Sequence, residues 1–278
     1  DEDRKYVVPS APGKRFPEDT KVTDMLYKCY AEAEAGKNIE KSLKAIEERY
    51  NEIIKGLGLK LSLKEQFETI KKNFEALAGK DYAASRGEYL NGIIMANYLG
   101  YEFIDAATVI CFDKDGEFDS EKTNAVCEAK FANIERAVVP GFYGAMPNGK
   151  VKTFSRGGSD VTGSIVARAL KADMYENWTD VSGILMADPR IVHHPKRINT
   201  ITYSELRELS YMGASVLHEE AIFPVKEKNI PINILNTNHP EEGGTIIVEK
   251  DDHPSEQMIT GIAGKKNFTV IAIYKNHM

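Results

Sequence analysis

The stretch Phe154–Asp160, F-S-R-G-G-S-D, gathers residue types that can hold an anion. Gly157 and Gly158 permit backbone conformations and close approach that a side chain would block. Ser159 and Asp160 stand where an N-cap precedes a helix expected over Val161–Leu170. A helix start of this kind attracts negative charge, and Arg156 can fork onto a carboxylate through two parallel hydrogen bonds. The plain alternative is a turn with a capping residue, and spacing alone does not choose between them. A second block is Trp178–Arg190, W-T-D-V-S-G-I-L-M-A-D-P-R. Thr179 and Asp180 fall just past an expected buried strand, where ligands of open α/β sheets bind. Asp188-Pro189-Arg190 is a turn that presents a cation. An acidic residue and an arginine near one strand end suit a nucleotide with its magnesium; the commoner alternative is a surface ion pair. The third block is Ser85–Glu88, S-R-G-E, at an expected helix start. Its residues alone favour a carboxylate paired with the helix dipole; an acceptor for a substrate ammonium is the other reading.

Other chemistries find less support. His193 and His194 are adjacent and precede Pro195, so they share no helix face, and they read as surface residues. His218, in V-L-H-E, reads as a packing or orienting histidine. Neither a Gly-x-Ser-x-Gly elbow nor an H-E-x-x-H pattern occurs, which disfavours hydrolases. No metal-ligand spacing stands out.

The elements that must carry these blocks follow from periodicity. Tyr6–Ser10 reads as a short strand, and Thr23 to about Tyr30 as the start of a helix. Asn38–Lys55 has helical spacing through Ile39, Leu43, Ile46, Tyr50 and Ile53. Ser62 and Glu65 form a capping box ahead of a stripe at Leu63, Phe67, Ile70, Phe74 and Leu77, ended by Gly79. Beyond Ser85, a helix is expected over Glu88–Leu99 and strands over Glu102–Ala106, Thr108–Phe112, Ala137–Pro140 and Lys150–Phe154. A Gly141–Gly149 loop joins the last two. Further strands are expected at Asp173–Thr179, Pro231–Leu235 and Thr245–Val248, with helices at Leu206–Tyr211 and Ser215–Val225. Strands alternating with helices predict an α/β layer fold with a mainly parallel sheet.

Bulk properties narrow the class. The 278 residues, 42% hydrophobic and 28% charged, describe a globular chain able to bury a large core. A net charge of −6 argues against nucleic acid as a partner, and the Lys71-Lys72 and Lys265-Lys266 pairs read as solvated faces. Cys29, Cys111 and Cys127 are odd in number and widely spaced, which predicts a reducing, cytoplasmic location rather than a disulfide framework. No apolar run reaches the roughly 20 residues that cross a bilayer, so no membrane partner is expected. The charged start lacks both a signal pattern and an initiator methionine, which predicts a chain trimmed at its front.

In combination, S-R-G-G-S-D, W-T-D-V-S-G-I-L-M-A-D-P-R and G-A-S-V-L-H (Gly213–His218) resemble the signature blocks of aspartate kinases, in matching order and separation. The resemblance runs from about Tyr6 to Val248. It implies the amino-acid-kinase fold, a three-layer αβα sandwich around an open, mostly parallel central sheet. It also implies transfer of the γ-phosphoryl of ATP, with Mg2+, to the side-chain carboxylate of L-aspartate, toward lysine, threonine and methionine. On this resemblance Thr23, Arg156 and Ser159 line the aspartate pocket, Glu88 faces the substrate amino group, and Asp160 organises the lysines and the transferring group. Thr179, Asp180, Leu185, Arg190, Ser215 and Val216 fall on nucleotide-contacting positions. Residues 1–250 are then the catalytic domain, with a helical insertion at about 31–79 and a linker at 251–258. Residues 259–278 look like the opening of a regulatory ACT domain, a type that pairs between subunits, so a homodimer is implied.

The chain departs from that pattern in places. No Lys-Phe-Gly-Gly-type loop precedes Tyr6, Ser215 stands where the family usually has lysine, Leu185 where tyrosine is frequent, and Ser155 where glycine is common. These departures predict a missing first strand and weak or absent turnover by the chain alone, because phosphoryl transfer depends on charge neutralisation. Two alternatives stay open: a kinase for another amino-acid carboxylate, and a non-catalytic kinase-fold fragment that binds an amino acid or serves to dimerise.

Overall fold

The computed structural model describes residues 3–155, 157–211, 217, 219–250 and 259–264. The chain divides into two compact units, Asp1–Asp173 with Glu220–Ile230, and Met174–Glu219 with Pro231–Met278.

In the first unit, β1 (Tyr6–Val7), β2 (Glu102–Phe103) and β3 (Ala137–Val138) form a parallel sheet in the order β1-β3-β2. Pro9 stops β1 and Pro140 stops β3, so the chain turns out of the sheet at the same end of both strands. Backbone bonds from Gly141 N to Pro9 O (3.0 Å) and from Val139 N to Val7 O (2.9 Å) hold these exits side by side. An antiparallel hairpin of β4 (Tyr143–Ala145) and β5 (Val151–Thr153) follows, and α6 (Gly158–Ala169) continues from it.

Four helices precede or flank the sheet: α1 (Val22–Glu34), α2 (Glu40–Gly56), α3 (Lys64–Glu75) and α4 (Lys80–Leu99). Leu26, Cys29 and Tyr30 of α1, Leu43, Ile46, Tyr50 and Ile54 of α2, and Phe67, Ile70 and Phe74 of α3 recur three or four apart and close one apolar core. α4 is buried more fully, through Ala83, Ala84, Leu90, Ile94 and Ala96. α5 (Ser120–Phe131) packs on α6, and α8 (Glu219–Lys226) completes the unit.

The second unit holds a four-stranded sheet in the order β6-β8-β9-β7, with α7 (Tyr203–Tyr211). Its strands are β6 (Tyr175–Thr179), β7 (Thr200–Thr202), β8 (Ile232–Asn236) and β9 (Thr245–Val248). β6–β8 and β7–β9 are parallel and β8–β9 antiparallel. The mostly parallel α/β class expected from the sequence therefore holds.

Several expectations shift. α4 begins at Lys80, so Glu88 lies in mid-helix and not in the first turn, which removes the helix-dipole reading of its carboxylate. The run Ala83-Ala84-Ser85 is small and buried and carries no visible apolar stripe, which hid those turns. No capping box forms at α3, where Leu63 is the N-cap without a side-chain bond. Leu77 already has positive φ, and Gly79 caps the start of α4 instead of ending α3. Thr108–Phe112 is not a strand; a 3-10 turn spans Ala106–Thr108, and Cys111 and Phe112 make single bridges. Among the described residues, α5, β4 and β7 appear where the sequence reading placed no element. Asp119 caps α5 by accepting from Lys122 N at 2.9 Å, yet that helix buries only Thr123, Cys127 and Phe131.

Candidate active site

The candidate site lies at the carboxyl ends of β1 and β3, where open parallel sheets receive ligands. A cavity of about 310 Å³ there is lined by Ser10, Thr23, Glu88, Phe142, Gly157, Gly158, Ser159 and Asp160. Ser10 follows β1, Thr23 sits in the first turn of α1, Glu88 in the middle of α4, and Phe142 just after β3. The remaining four residues form the turn into α6.

That turn differs from expectation in one respect. The helix begins at Gly158, so Ser159 and Asp160 occupy its first turn and are not N-caps. Gly157 is the cap, in the left-handed region at φ 54°, and as a glycine it offers no side-chain cap bond. The first turn of a helix presents backbone N–H groups with no partner inside the helix, the feature that draws anions to helix starts. The loop after β3 clamps this turn. Phe142 N donates to Gly158 O (3.2 Å) and to Thr162 Oγ1 (3.0 Å), while Phe154 N donates to Phe142 O (2.9 Å). Phe142 holds φ at 80°, a rare value for a bulky residue.

The clamp is tight enough to test. A Cβ on Gly141 would lie 2.6 Å from Ser159 Oγ and 2.8 Å from Ser159 Cα. Gly141→Ala is expected to cost about 1–3 kcal/mol, the usual toll of overpacking. Chemical denaturation would show a lower midpoint; an unchanged midpoint would mean that the seam yields freely.

Glu88 is the most unusual group in the cavity. It is 6% exposed, and its Oε2 has no hydrogen-bond partner. Burial pushes its carboxyl up to about 7, against the backbone N–H groups of Glu88 and Ala11 and the Arg86 charge, which pull it down. Arg86 is itself buried among the rings of Tyr82, Tyr89 and Tyr143, its guanidinium 4.5, 4.4 and 5.2 Å from their centroids, within cation–π range. Gly87 makes room for the loop after β1, since a Cβ there would meet Ala11 Cβ at 2.9 Å. A desolvated carboxylate with one oxygen unmatched fits an incoming ammonium.

Thr23, Glu88, Ser159 and Asp160 of the residues singled out in the sequence thus share one cavity. Ser10 and Phe142 were missed. The Pro-Ser and Pro-Gly-Phe exits from two neighbouring strands were the available signal. Arg156, Ser215 and Val216 lie outside the described residues, as does His218. Thr179, Asp180, Leu185 and Arg190 belong to the second unit. Thr179 ends β6 and accepts from Val181 N at 3.0 Å; Asp180 and Leu185 are exposed. Arg190 folds back onto Asp188, with Nη2 to Oδ2 at 2.6 Å and Nε to Oδ1 at 2.9 Å. His193 and His194 are exposed, as expected. Ile259–Gly264 of the expected ACT opening form no strand, Ile262 N bonding instead to Met186 O at 2.7 Å. Residues 251–258 and 265–278 lie outside the description. Among the described residues no helix is long and apolar enough to cross a membrane.

Comparison with known proteins gives a family and several relatives. A profile of the "Amino acid kinase family" matches residues 4–236. "Aspartokinase 3" of Bacillus subtilis (strain 168) is 39% identical over 98% of this chain and 63% of its own length. The crystal structure of Clostridium acetobutylicum aspartate kinase superposes with a TM-score of 0.88 at 57% identity, covering 95% of this chain and 60% of that one. Escherichia coli aspartokinase III, solved with lysine and aspartate, gives 0.72 at 27% identity, covering 91% and 60%. The chain therefore spans less than two thirds of the length of these relatives.

Proposed function

The chain belongs to the amino acid kinase family, and we propose that it is the catalytic part of an aspartate kinase, transferring the γ-phosphoryl of ATP to the side-chain carboxylate of L-aspartate. The observation that carries this reading is the buried, unmatched Glu88 carboxylate oxygen in a cavity that also holds Thr23, Ser159 and Asp160. A free amino acid brings an ammonium that satisfies Glu88, which disfavours an N-acylated substrate. Arg156 and Ser159 are assigned to the substrate's carboxylate end and Thr23 to the pocket wall. The first turn of α6 offers its N–H groups to negative charge. Asp160, an oxygen donor at that turn, fits a role beside a magnesium-bound nucleotide. Magnesium supplies neutralisation of phosphate charge when bound. Thr179, Asp180, Leu185, Arg190, Ser215 and Val216 are assigned to the nucleotide.

The product is 4-phospho-L-aspartate, the entry to lysine, threonine and methionine synthesis. Three unbonded thiols support a reducing, cytoplasmic setting. The ACT resemblance after Ile259 supports a homodimer.

The test is ADP release by the full-length protein with ATP, Mg2+ and a panel of aspartate, glutamate and acetylglutamate. Turnover is expected with aspartate. Turnover on acetylglutamate and none on aspartate would overturn the assignment.

A further inference from the structure

Two residues of α2 hold the walls of the aspartate pocket without lining it. We propose that Arg49 and Tyr50 are positioning residues, through which the helical insertion sets the geometry of the substrate site; this rests on the aspartate kinase reading above.

Arg49 is a buried cation, 6% exposed, among the apolar residues of α2. Its Nη2 donates to Gly13 O at 2.8 Å, and its Nη1 makes an ion contact with Asp19 Oδ2 at 2.9 Å. Asp19 also accepts from Arg15 N (3.0 Å), Arg15 Nε (2.9 Å) and Arg15 Nη2 (3.1 Å). Arg15 in turn reaches Glu52 Oε2 at 2.9 Å, back on α2. The loop between β1 and α1 is thereby tied to α2 at Gly13, Arg15 and Asp19. Both ends of that loop are site residues: Ser10 at its start and Thr23 just beyond it. At the near end Asn91 Nδ2 donates to Ser10 O at 2.7 Å, and Ala11 rests on Gly87. The N–H of Ala11 stabilises the ionised form of Glu88.

The next residue on α2 braces the helix that carries Glu88. Tyr50 is fully buried, and its hydroxyl donates to Gly87 O at 2.7 Å, at the peptide that leads into Glu88. Its ring lies 6.2 Å from that of Phe67, which fixes its direction. Burial pushes the Tyr50 hydroxyl upward, so it remains a donor across the working pH range. One turn of α2 therefore grips both the loop after β1 and the backbone that leads into Glu88. Neither residue is among those lining the cavity. Arginine suits the first role because its Nη2 donates to Gly13 O while its delocalised charge lies in ion contact with Asp19, where Nη1 makes no hydrogen bond.

The experiment compares full-length wild type with Arg49→Met, Arg49→Lys and Tyr50→Phe by steady-state kinetics. Arg49→Met is expected to raise KM for aspartate about tenfold, the loss of one charged hydrogen bond. Its KM for ATP should stay at the wild-type value. The pH midpoint of the aspartate KM should move upward as Ala11 N–H drifts from Glu88. Arg49→Lys should recover part of the loss, and Tyr50→Phe should show a smaller rise with the same ATP value. If Arg49→Met does not fold, the Tyr50→Phe and Arg49→Lys results decide. An unchanged aspartate KM and pH midpoint in the folded variants would overturn the inference, as would a parallel change in both substrates' KM. Absence of aspartate turnover in wild type would instead overturn the functional reading, and this inference with it.

Discussion

Glu88→Gln is expected to lower kcat/KM for aspartate about 100- to 1000-fold while making the protein more stable above pH 7. The first effect follows from removing one partner of a desolvated charge pair, which typically costs about 2–5 kcal/mol. The second follows from the cost of burying the carboxylate. Its folded-state value of about 7 lies above the ordinary 4.5. Between those values the folded protein holds a proton that the unfolded chain has released. Stability contributed by this group therefore falls as pH rises from about 4.5 to 7 and stays low above that. The shift corresponds to roughly 3 kcal/mol. Glutamine keeps the shape and removes the charge, so the penalty disappears. Melting temperatures of wild type and variant should diverge from pH 5 to pH 8, with the variant higher at pH 8. Wild-type KM for aspartate should fall as pH rises through about 7, because only the ionised carboxylate attracts the ammonium. A variant that lost both stability and activity would point to a structural role for Glu88.

Asp160→Asn is expected to act on kcat instead. Asp160 lies in the first turn of α6 at the cavity, next to Ser159. Its assigned task is to organise charge around the transferring group, where removing one preorganised contact costs about 100- to 1000-fold in rate. KM for aspartate should change little. The same carboxylate favours the helix start, so a loss of about 0.3–1 kcal/mol in stability should accompany the rate effect. Stopped-time ADP measurements with denaturation curves would separate the two. A large rise in aspartate KM with kcat intact would move Asp160 from catalysis to binding.

Much of this site was legible in the residues. Ser159 and Asp160 announced themselves through paired glycines followed by helical apolar spacing, a local pattern that survives without tertiary context. Glu88 did not. Its helix begins two turns earlier, in an alanine- and serine-rich run whose burial comes from close packing by small side chains. The carboxylate's role depends on Ala11 arriving over Gly87 from a strand far away in sequence. Ser10 and Phe142 were hidden for the same reason, since they meet only because β1 and β3 are neighbours in the sheet. Phe142 also adopts a backbone conformation that its residue type argues against. Helices α2 and α3 showed their apolar faces plainly, through Leu43, Ile46, Tyr50 and Phe74. The burial of Arg49 was invisible, because an arginine in a charged helix looks like a surface cation until Gly13 and Asp19 are seen beside it.

Calorimetric titration of the full-length protein decides whether Glu88 receives the ammonium of a free amino acid. L-Aspartate should bind about 100-fold or more tightly than N-acetyl-L-aspartate at pH 8, the acetylated compound leaving a buried charge unpaired. Equal affinities for the two would contradict the account.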